Sequence, residues 1–581
     1  MTRWDAEISA GDATSRRISN LRLLTAAVAI AIAAPVMRGS LSAWWLALPG
    51  LAFLALVVAH SRVADRIERA RRGRAWYEHG LARISGAWAG RGPDGRRFLV
   101  GQPFASDLDL FGPGSLFQLL NTTRTEAGEG TLAGWLLTGA PTDEIRARQA
   151  AIDELRPLID FRESVAVTAV AAGTSHTGSL RQWASKTTTG FSPRIAWLFG
   201  LVGGISAALL VATFQGRVAG GIFLLWLVLQ AALVIVFWRR SAAALDDLDT
   251  AAHDLTLLSA VLERIETQSF QCDRLRRIRD SLLTDGAMPS KRIAELLRLI
   301  TALDSTRNQI VAPLAWLVML PPMLTAAIAS WHARHARAIT TWLQAAGDME
   351  AFAALATYAY EHPGDPFPTI AETGPVFAAT SLGHPLIPET TAVRNDVALG
   401  GAHPHLLLVS GSNMSGKSTL LRAIGVNVVL GLCGAPVRAA SLTLSPLVLG
   451  SSLRIEDSLQ AGHSRFYAEI LRVRAIVELT RASSSVLFLL DEMLAGTNSH
   501  DRKIGAEAII RTLVAQGAIG LVTTHDLALA DVVPSLGPLA ANVHFEDRIE
   551  DGKMVFDYRM RPGVVEHSNA LALMRAIGLD V

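Results

Sequence analysis

The sequence predicts a multidomain membrane protein with two transmembrane helical hairpins, an α-helical middle region and a C-terminal α/β domain. The chain has 581 residues, which is enough for about three or four domains. Half of the residues are hydrophobic, and many of them lie in four apolar runs in the N-terminal half. From about residue 377 onward, apolar strand-like runs alternate with helical patterns, which is typical of a doubly wound domain.

Charge and cysteine content exclude some classes of protein. The formal net charge is +2, so no overall positive field indicates nucleic-acid binding, and any basic footprint must be local. The two cysteines, Cys272 and Cys433, are far apart in unrelated contexts. They indicate neither a disulfide framework nor a metal site, which fits a reducing compartment.

The four apolar runs form two pairs, each with a short turn that carries one arginine. The runs are Leu23–Met37 and Leu41–Ala59, then Ile195–Phe214 and Val218–Trp238. A membrane-spanning helix needs about 20 apolar residues, and the second pair meets that length. The first run is shorter and contains Pro35, so buried core helices remain the alternative, especially there.

Flanking arginines predict the orientation of both hairpins. Under the positive-inside rule, both chain ends and the large middle segment are cytoplasmic, in an integral protein of the inner or plasma membrane. The N-terminal run leads into a second run without a clear cleavage site, so we expect no signal peptide. The flanking arginines are Arg3, Arg16, Arg17, Arg22, Arg62, Arg66, Arg69, Arg71, Arg72, Arg74, Arg194, Arg239 and Arg240.

A fifth apolar stretch, Ile310–Trp331, is long enough to span but contains three prolines. A fifth crossing would also place the C-terminal domain outside the cell. We therefore interpret this stretch as a buried helical segment.

Elsewhere, residues 1–20 are expected to be a polar, poorly ordered tail, and Glu361–Pro375 a linker. Helical spacing of apolar residues predicts helices over Glu144–Asp160, Ala242–Arg277, Lys291–Asp304 and Ala336–Tyr360.

A phosphate-binding loop begins the strongest pattern in the sequence. An apolar strand, Leu406–Val409, precedes it and a predicted helix, Thr419–Val429, follows it, which is the context that G-x-x-x-x-G-K-[ST] requires. The glycines let backbone N–H groups point at phosphate oxygens, and the helix N-terminus adds partial positive charge. The predicted nucleotide-binding residues are Gly411, Ser412, Asn413, Met414, Ser415, Gly416, Lys417, Ser418 and Thr419.

Two further strand ends complete a predicted ATPase site. Strand Val486–Leu490 ends in Asp491 and Glu492. Asp491, with Ser418, is the predicted Mg²⁺ ligand, while Glu492 is the predicted base for the attacking water. His525 follows a third apolar run and is predicted to sense the γ-phosphate. Lys417 would reach the terminal phosphates, so catalysis by these groups would consist of positioning and charge neutralisation.

These residues resemble the MutS family of DNA mismatch-repair ATPases. Asn413-Met414 is the family's variant of the loop, and Leu489–Glu492 with Gly496–Asn498 looks like its Walker B strand and following loop. The resemblance covers roughly residues 104–190 and 241–581. Other similar segments are Asp457–Leu459, Gly462–Phe466, Glu469, Asn542–Phe545, Phe556–Tyr558, Pro562–Val564, Gly114–Asn121, Ile145–Leu155, His384–Leu386 and Asn395-Asp396.

The resemblance implies an ABC-type nucleotide-binding domain in a homodimer that uses ATP and Mg²⁺. It also implies that Ser464 contacts the ATP bound by the opposite subunit. The predicted domains are 1–20, tail; 21–60, hairpin 1; 61–103, an arginine-rich cytoplasmic segment; 104–193, the first segment of the MutS-like core; 194–240, hairpin 2; 241–376, the second segment of the core with the lever; and 377–581, the ATPase domain.

The sequence also departs from the family pattern. We find no counterpart of the mismatch-reading or connector domains, and after Gly578–Val581 we expect no helix-turn-helix dimer lock. Two function hypotheses follow. In the first, ATP drives a clamp or lever around DNA held near the membrane; in the second, the protein is a membrane mechanochemical or transport-coupled ATPase with no DNA role. The absence of charged residues inside the apolar runs favours anchors over a transport path.

Overall fold

The structure is a computed structural model that describes residues 1–99, 101–170, 177–186, 193–245, 248–309, 311–412, 414–454, 465–483, 485–494, 496–550 and 553–565. Its architecture combines a long N-terminal helical pair, a helical region and a C-terminal domain with two β-sheets.

The N-terminal pair is an antiparallel hairpin of two long helices, α1 (Thr2–Met37) and α2 (Ala47–Ile84), joined by the 3₁₀ turn Ala43–Leu46. Trp4 packs against Gly73, where an added Cβ would lie 2.4 Å from the indole. The expectation of a poorly ordered tail at residues 1–20 is therefore wrong. Those residues extend α1, because Trp4 buries its ring on the far end of α2.

The helical region continues from residue 103 to residue 361. Its helices are α3 (Pro103–Asp107), α4 (Leu116–Leu120), α5 (Glu126–Leu137), α6 (Thr142–Leu155), α7 (Ile159–Val170), α8 (Thr177–Ser185), α9 (Pro193–Phe214), α10 (Gly220–Leu245), α11 (Leu248–Thr267), α12 (Asp273–Ser281), α13 (Pro289–Ser305), α14 (Ala312–Leu317) and α15 (Leu320–Glu361), with the 3₁₀ turn Arg96–Phe98 before them. The 42-residue α15 packs against α5, α6, α8, α9, α10 and α13, so it is the axis of this region.

Four helices are long and apolar enough to cross a membrane, as judged by length and composition alone: α1, α2, α9 and α10. α1 and α9 contain the first and third apolar runs predicted from the sequence, and α2 and α10 contain most of the second and fourth. Their large apolar side chains lie mostly on the surface; Leu23, Leu48 and Leu225, for example, are 72%, 73% and 65% exposed.

The prediction of a single helix over Ala242–Arg277 is wrong. The end of α10, all of α11 and the first half of α12 occupy this range, with a break after Thr267. The Glu154 carboxylate accepts hydrogen bonds from the backbone N–H groups of Gln271 and Cys272 at 2.7 and 2.5 Å. These groups lie at the start of α12, so a side chain from α6 fixes a helix start that periodicity alone does not reveal.

The fifth apolar stretch forms α14 and the start of α15, with a break at Met319, whose φ is +58°. Gln230 of α10 donates from Nε2 to the carbonyl oxygens of Trp316 and Leu317 at 2.9 and 3.2 Å, which satisfies acceptors at the break. The prediction of a buried helical segment is confirmed for Ile328 but not for Leu314, which is 63% exposed.

The C-terminal domain contains a six-stranded sheet in the order β10-β9-β4-β8-β7-β6 and a four-stranded sheet in the order β1-β5-β2-β3. All neighbours in the larger sheet are parallel except β10 and β9. The elements are β1 (Thr369–Ile370), β2 (Val376–Leu382), β3 (Asn395–Gly400), β4 (Leu406–Ser410), α16 (Lys417–Cys433), β5 (Ser441–Leu444), β6 (Val448–Ser452), α17 (Arg465–Ala482), β7 (Val486–Leu490), α18 (Ser499–Ala515), β8 (Ile519–Thr524), α19 (Val532–Leu536), β9 (Ala540–Glu550) and β10 (Lys553–Pro562), with 3₁₀ turns at Leu527–Asp531 and Gly537–Leu539.

Both faces of the larger sheet are covered, which explains why its central strands are apolar throughout. Leu406 and Leu408 of β4 join one hydrophobic cluster with residues of α18. Leu407 and Val409 face the other way and join a larger cluster that includes α16 and the helical region. The second, mostly antiparallel sheet was not predicted, and its first strand lies inside the predicted linker Glu361–Pro375.

Two carboxylates connect the helical region to the sheet domain. Asp107 of α3 is fully buried and accepts hydrogen bonds from Ser451 Oγ at 2.7 Å and Arg472 Nη1 at 3.0 Å. Asp109 pairs with Arg422 of α16 at 3.3 Å. The start of the helical region therefore contacts the helix that follows the phosphate-binding loop.

Candidate nucleotide-binding site

The predicted phosphate loop lies where its motif requires it, between the end of β4 and the start of α16. Gly411 and Gly416 have φ values of +147° and +105°, which favour glycine. A Cβ at Gly411 would also come within 3.0 Å of the Phe545 carbonyl oxygen. The helix begins at Lys417, two residues earlier than predicted, so its first free N–H groups face the loop.

Lys417 is the cation of the loop and is 5% exposed. Its Nζ donates to the carbonyl oxygens of Gly411 and Ser412, both at 2.8 Å. Burial lowers the pKa of Lys417, while the negative charges of Glu492 and Asp491 oppose that shift. A phosphate in the loop would add further negative charge and favour the protonated amine.

Hydroxyl groups in the loop provide additional donors. Ser412 Oγ and Ser415 Oγ are buried and have no hydrogen-bond partner among the described residues. Met414, by contrast, is 83% exposed at the rim, with φ of +72°. Buried hydroxyls without acceptors beside a buried lysine suit an oxyanion.

Ser418 and Asp491 form the predicted metal pair at the ends of α16 and β7. Ser418 Oγ donates to Asp491 Oδ2 at 2.5 Å, and the Thr523 hydroxyl donates to the other carboxylate oxygen. Within the described ranges, no group of three or more His, Cys, Asp or Glu side chains could hold a metal. A Mg²⁺ ion does not need such a group here, because it is commonly held by one or two protein oxygens together with waters and substrate phosphates.

Glu492 and His525 come together at the ends of β7 and β8. The Glu492 backbone N–H donates to Thr523 Oγ1 at 3.0 Å, and Glu492 has φ of +48°, a conformation that non-glycine residues rarely adopt. His525 Nδ1 lies 3.8 Å from Glu492 Oε1, beyond hydrogen-bond range. Both side chains are substantially solvent-exposed, at 36% for Glu492 and 50% for His525.

A cavity of about 880 Å³ is lined by the phosphate loop, by the end of β7 and by residues of the smaller sheet. Most of the predicted residues line it: Met414, Gly416, Lys417, Ser418, Thr419, Asp491 and Glu492. Gly411, Ser412 and Ser415 form the inner part of the loop, and His525 lies outside the cavity lining. Asn413 and Ser464 lie outside the described residues, so their predicted roles remain predictions.

The cavity lining also contains residues that sequence reasoning did not assign. Ile387, Val393 and Tyr558 line it together with His384. Asn395 holds the Tyr558 region, because its side chain donates to the Tyr558 carbonyl oxygen at 3.0 Å and accepts from the Met560 N–H at 2.7 Å. The sequence analysis named the segments that contain His384 and Asn395 only for their family resemblance. It did not predict that these residues line the cavity or support its lining.

His384 is neutral at physiological pH in this environment. Burial, reinforced by the positive charge of Arg422, lowers the pKa of His384 to about 4, while Asp109 acts in the opposite direction. The Leu386 N–H donates to His384 Nδ1 at 3.2 Å. This part of the lining is thus uncharged, in contrast to Lys417, Asp491 and Glu492. The Tyr558 ring lies beside Gly416 of the loop, where an added Cβ would be 3.1 Å from it.

Glu469 of α17 is a further acid in the cavity lining and is 4% exposed. Its carboxylate accepts a hydrogen bond from the Leu494 N–H, so it supports the turn that follows Asp491 and Glu492. Thr523 has a comparable supporting role toward Asp491. Neither role was predicted, because both depend on contacts between segments that are distant in the sequence.

Comparison with known proteins agrees with this geometry. Residues 407–580 match the family described as MutS domain V, an ATPase domain. "Endonuclease MutS2" of Thermus thermophilus is 35% identical over 204 residues, which cover 34% of this chain and 25% of that protein. "DNA mismatch repair protein MutS" of Shouchella clausii is 35% identical over 240 residues, which cover 40% of this chain and 27% of that protein. "DNA mismatch repair protein MSH6" of Arabidopsis thaliana is 32% identical over 218 residues, covering 35% and 16%.

The matched region thus spans about a quarter or less of the length of these curated relatives. The family match, residues 407–580, covers nearly all of the larger sheet, with the phosphate loop, Asp491, Glu492 and His525, and begins after β1, β2 and β3 of the smaller sheet. Residues 407–580 are therefore similar to MutS domain V, and the chain is MutS-like over that region.

Proposed function

We propose that this protein is a membrane-anchored, MutS-like ATPase that couples ATP hydrolysis to the binding or handling of DNA. One observation carries the ATPase assignment: Lys417, the Ser418–Asp491 pair and Glu492 line a single cavity. Ile387, Val393 and Tyr558 belong to the same lining and suit an uncharged purine ring. The two sets of lining residues together suit the two parts of ATP.

Hydrolysis in this site needs little covalent chemistry from the protein. A water oxygen attacks the γ-phosphorus and forms a new P–O bond as the bond to the β–γ bridging oxygen breaks, so ADP leaves with the electron pair. Glu492 orients the water and accepts its proton, which then passes to solvent. Lys417 and the loop N–H groups neutralise charge on the phosphates. Mg²⁺, held by Ser418 and Asp491, would supply further charge neutralisation.

Exposed apolar surface supports the membrane anchor. Side chains such as Leu24, Ile30, Leu51 and Leu229 are each about 60% exposed or more on α1, α2 and α10. A contiguous apolar surface of this extent is unfavourable in water, whereas a lipid bilayer would cover it. The arginines beyond the apolar runs favour an orientation with both chain ends in the cytoplasm.

Reporter fusions test this topology. We expect fusions after Arg74, Arg240 and Val581 to report a cytoplasmic location, and fusions near Ser40 and Gly216 to report an external one. Four crossings produce that pattern because each hairpin returns the chain to its starting side. An external signal at Val581 would mean that α14 and the first turns of α15 cross the membrane as well.

DNA is the proposed partner because the matched relatives carry DNA-related names: an endonuclease and mismatch-repair proteins. We expect the detergent-solubilised protein to bind duplex or branched DNA with an affinity that falls as salt rises, since phosphate contacts release counterions. Filter binding or fluorescence anisotropy at several salt concentrations measures this. An absence of DNA binding at low salt, in protein that still hydrolyses ATP, would contradict the DNA assignment.

A mechanochemical ATPase without a DNA role is the second candidate function. One observation favours it: α15 is a continuous helix that contacts α9 and α10 near one end. Near its other end, Tyr358 donates to Asp365, which pairs with Arg438 of the sheet domain. Such a connection would transmit changes at the nucleotide site to the apolar helices. A negative DNA-binding result, combined with ATPase activity that depends on reconstitution into vesicles, would favour this function.

The proposed homodimer predicts a composite site. We expect Ser464→Ala to impair hydrolysis while nucleotide binding is retained, because its hydroxyl would meet the γ-phosphate held by the partner's Lys417. Mixing Ser464→Ala subunits with Lys417→Ala subunits should then restore about one working site per dimer. Confirmed heterodimers that show no more activity than either mutant alone would rule out the composite site.

A further inference from the structure

A small cavity lies where the end of α2 meets the loop after it and the segment before α5. We call it the arginine cavity, and its polar and aromatic lining includes His79, Arg83, Trp88, Arg91, Asn121 and Arg124. It belongs to the helical region and shares no lining residue with the nucleotide cavity. Three arginines and a histidine thus surround one space.

Positive charge in the arginine cavity is concentrated enough to affect its own members. Burial lowers the pKa of His79, and the charges of Arg124, Arg83 and Arg91 lower it further, in that order. Burial and then Arg83 lower the pKa of Arg124. Like charges therefore act on one another across the cavity, an arrangement that nearby negative charge stabilises.

The nearby carboxylates partly balance these charges. Glu361 accepts two hydrogen bonds of 2.8 and 2.6 Å from Arg83. Glu350 attracts Arg124; its Oε2 accepts from the backbone N–H groups of Arg124 and Thr125 and from the Thr125 hydroxyl, while its Oε1 is buried without a hydrogen-bond partner among the described residues. Glu129 also lies near Arg124 and accepts from Arg97 at 2.7 Å, and Glu78 near His79 accepts from Arg74 at 2.8 Å.

Two guanidinium groups are left without a hydrogen-bonded partner. Across the described ranges, neither Arg91 nor Arg124 forms a side-chain hydrogen bond or ion pair, and Arg124 Nε is buried without an acceptor. Arg91 is exposed where the arginine cavity opens to solvent. A ligand from solvent could therefore pass Arg91 and reach Arg124. Planar guanidinium groups match the oxygen geometry of phosphate and sulfate.

We infer that the arginine cavity binds an oxyanion, namely the phosphate group of a small soluble ligand, between Arg83, Arg91 and Arg124. A lipid headgroup is disfavoured by distance: His79 lies 20 residues beyond the apolar run that ends at Ala59, or about 30 Å along α2. The cavity is also small, which favours a single phosphate over the extended backbone of a nucleic acid.

Direct binding of inorganic phosphate to the full chain in detergent tests this proposal. The background variant is Lys417→Ala, so that the phosphate loop does not contribute. We expect saturable binding of one phosphate per chain by equilibrium dialysis, with a parallel rise in the thermal unfolding midpoint. Arg91→Ala should weaken binding by about tenfold or more, because it removes a charge-assisted contact, and Arg124→Gln should do the same.

Arg96→Ala is the matched control, since Arg96 is exposed on the same loop and pairs with Asp94 at 3.1 Å. It should leave phosphate binding unchanged. If Arg124→Gln does not fold, Arg91→Ala alone decides the outcome because its side chain is at the surface. Phosphate binding that is absent, or unaffected by Arg91→Ala, would overturn the proposal. Binding of duplex DNA or anionic vesicles through Arg91 without binding of inorganic phosphate would overturn it as well.

Discussion

Lys417→Ala is expected to abolish ATP turnover and to weaken nucleotide binding strongly. The amine is buried in the loop, 2.8 Å from two loop carbonyl oxygens, so it is the fixed cation nearest to the phosphates. Loss of a preorganised charge at such a site reduces turnover by about 100-fold or more. Steady-state Mg-ATP hydrolysis by detergent-solubilised protein and binding of a fluorescent ATP analogue measure both effects.

The matched control is Lys503→Ala. Lys503 lies on α18 of the same domain, and it is partly exposed and paired with Asp531 at 3.3 Å. Its replacement should leave hydrolysis and nucleotide binding close to those of the unmodified protein. If Lys417→Ala instead retained normal ATPase activity while keeping a normal unfolding midpoint, the assignment of the nucleotide site would be wrong.

Glu492→Gln is expected to bind ATP normally and to hydrolyse it about 10²- to 10⁴-fold more slowly, the range for loss of a general base. The amide keeps the size of the side chain, and the Glu492 N–H can still donate to Thr523. Only the ability to accept the proton of water is lost. Single-turnover hydrolysis and ATP affinity, measured separately, should show a slow chemical step with unchanged binding.

This variant should also accumulate an ATP-bound dimer, because hydrolysis would normally release it. Size-exclusion chromatography with ATP, compared with ADP, detects that species. Glu507→Gln on α18 is the control, since Glu507 is a partly exposed acid that pairs with Arg511 at 2.8 Å. Turnover of Glu492→Gln within about tenfold of the unmodified protein would indicate another base, and Glu469 would be the first residue to examine because it lines the same cavity.

The core of the nucleotide site could be predicted because its motifs are local. A phosphate loop is one strand, one turn and one helix, so the spacing of Gly411, Gly416 and Lys417 specifies its geometry. Asp491 and His525 follow apolar runs that form parallel strands, and the carboxyl ends of such strands lie at one edge of a sheet. The structure therefore places the predicted site residues close to one another. Asn413 and Ser464 are not included in this statement, because they lie outside the described residues.

The supporting residues could not be predicted, because their positions depend on contacts between distant segments. Thr523 reaches Asp491 only because β7 and β8 are neighbours, and Asn395 reaches Tyr558 across 163 residues of sequence. The break between α11 and α12 is similar, since it depends on Glu154 from α6. Helical periodicity reports which face of a segment is apolar, but not where another element ends the helix.

The N-terminal helix illustrates a different limit of sequence analysis. Residues 1–20 are polar, and a polar segment without a hydrophobic face gives no reason to expect order. Trp4 is an apolar residue within this polar segment. Its ring packs on α2 at Gly73, where any larger residue would clash with the indole. This contact, together with the packing of Ile67 against Gly11 and the Arg74–Asp5 ion pair, extends the helical pair well beyond its apolar half.

The continuity of α15 has a simple geometric consequence. Its 42 residues make a rod about 63 Å long. Near one end, Tyr358 donates to Asp365, which pairs with Arg438 of the sheet domain, while the other end lies against α9 and α10. A tilt of only about 10° at the Tyr358 end displaces the far end sideways by about 11 Å, roughly two helical turns. The converse also holds. If the apolar helices α9 and α10 are immobilised, the orientation of α15 is restricted, and so is the orientation of the nucleotide domain at its Tyr358 end.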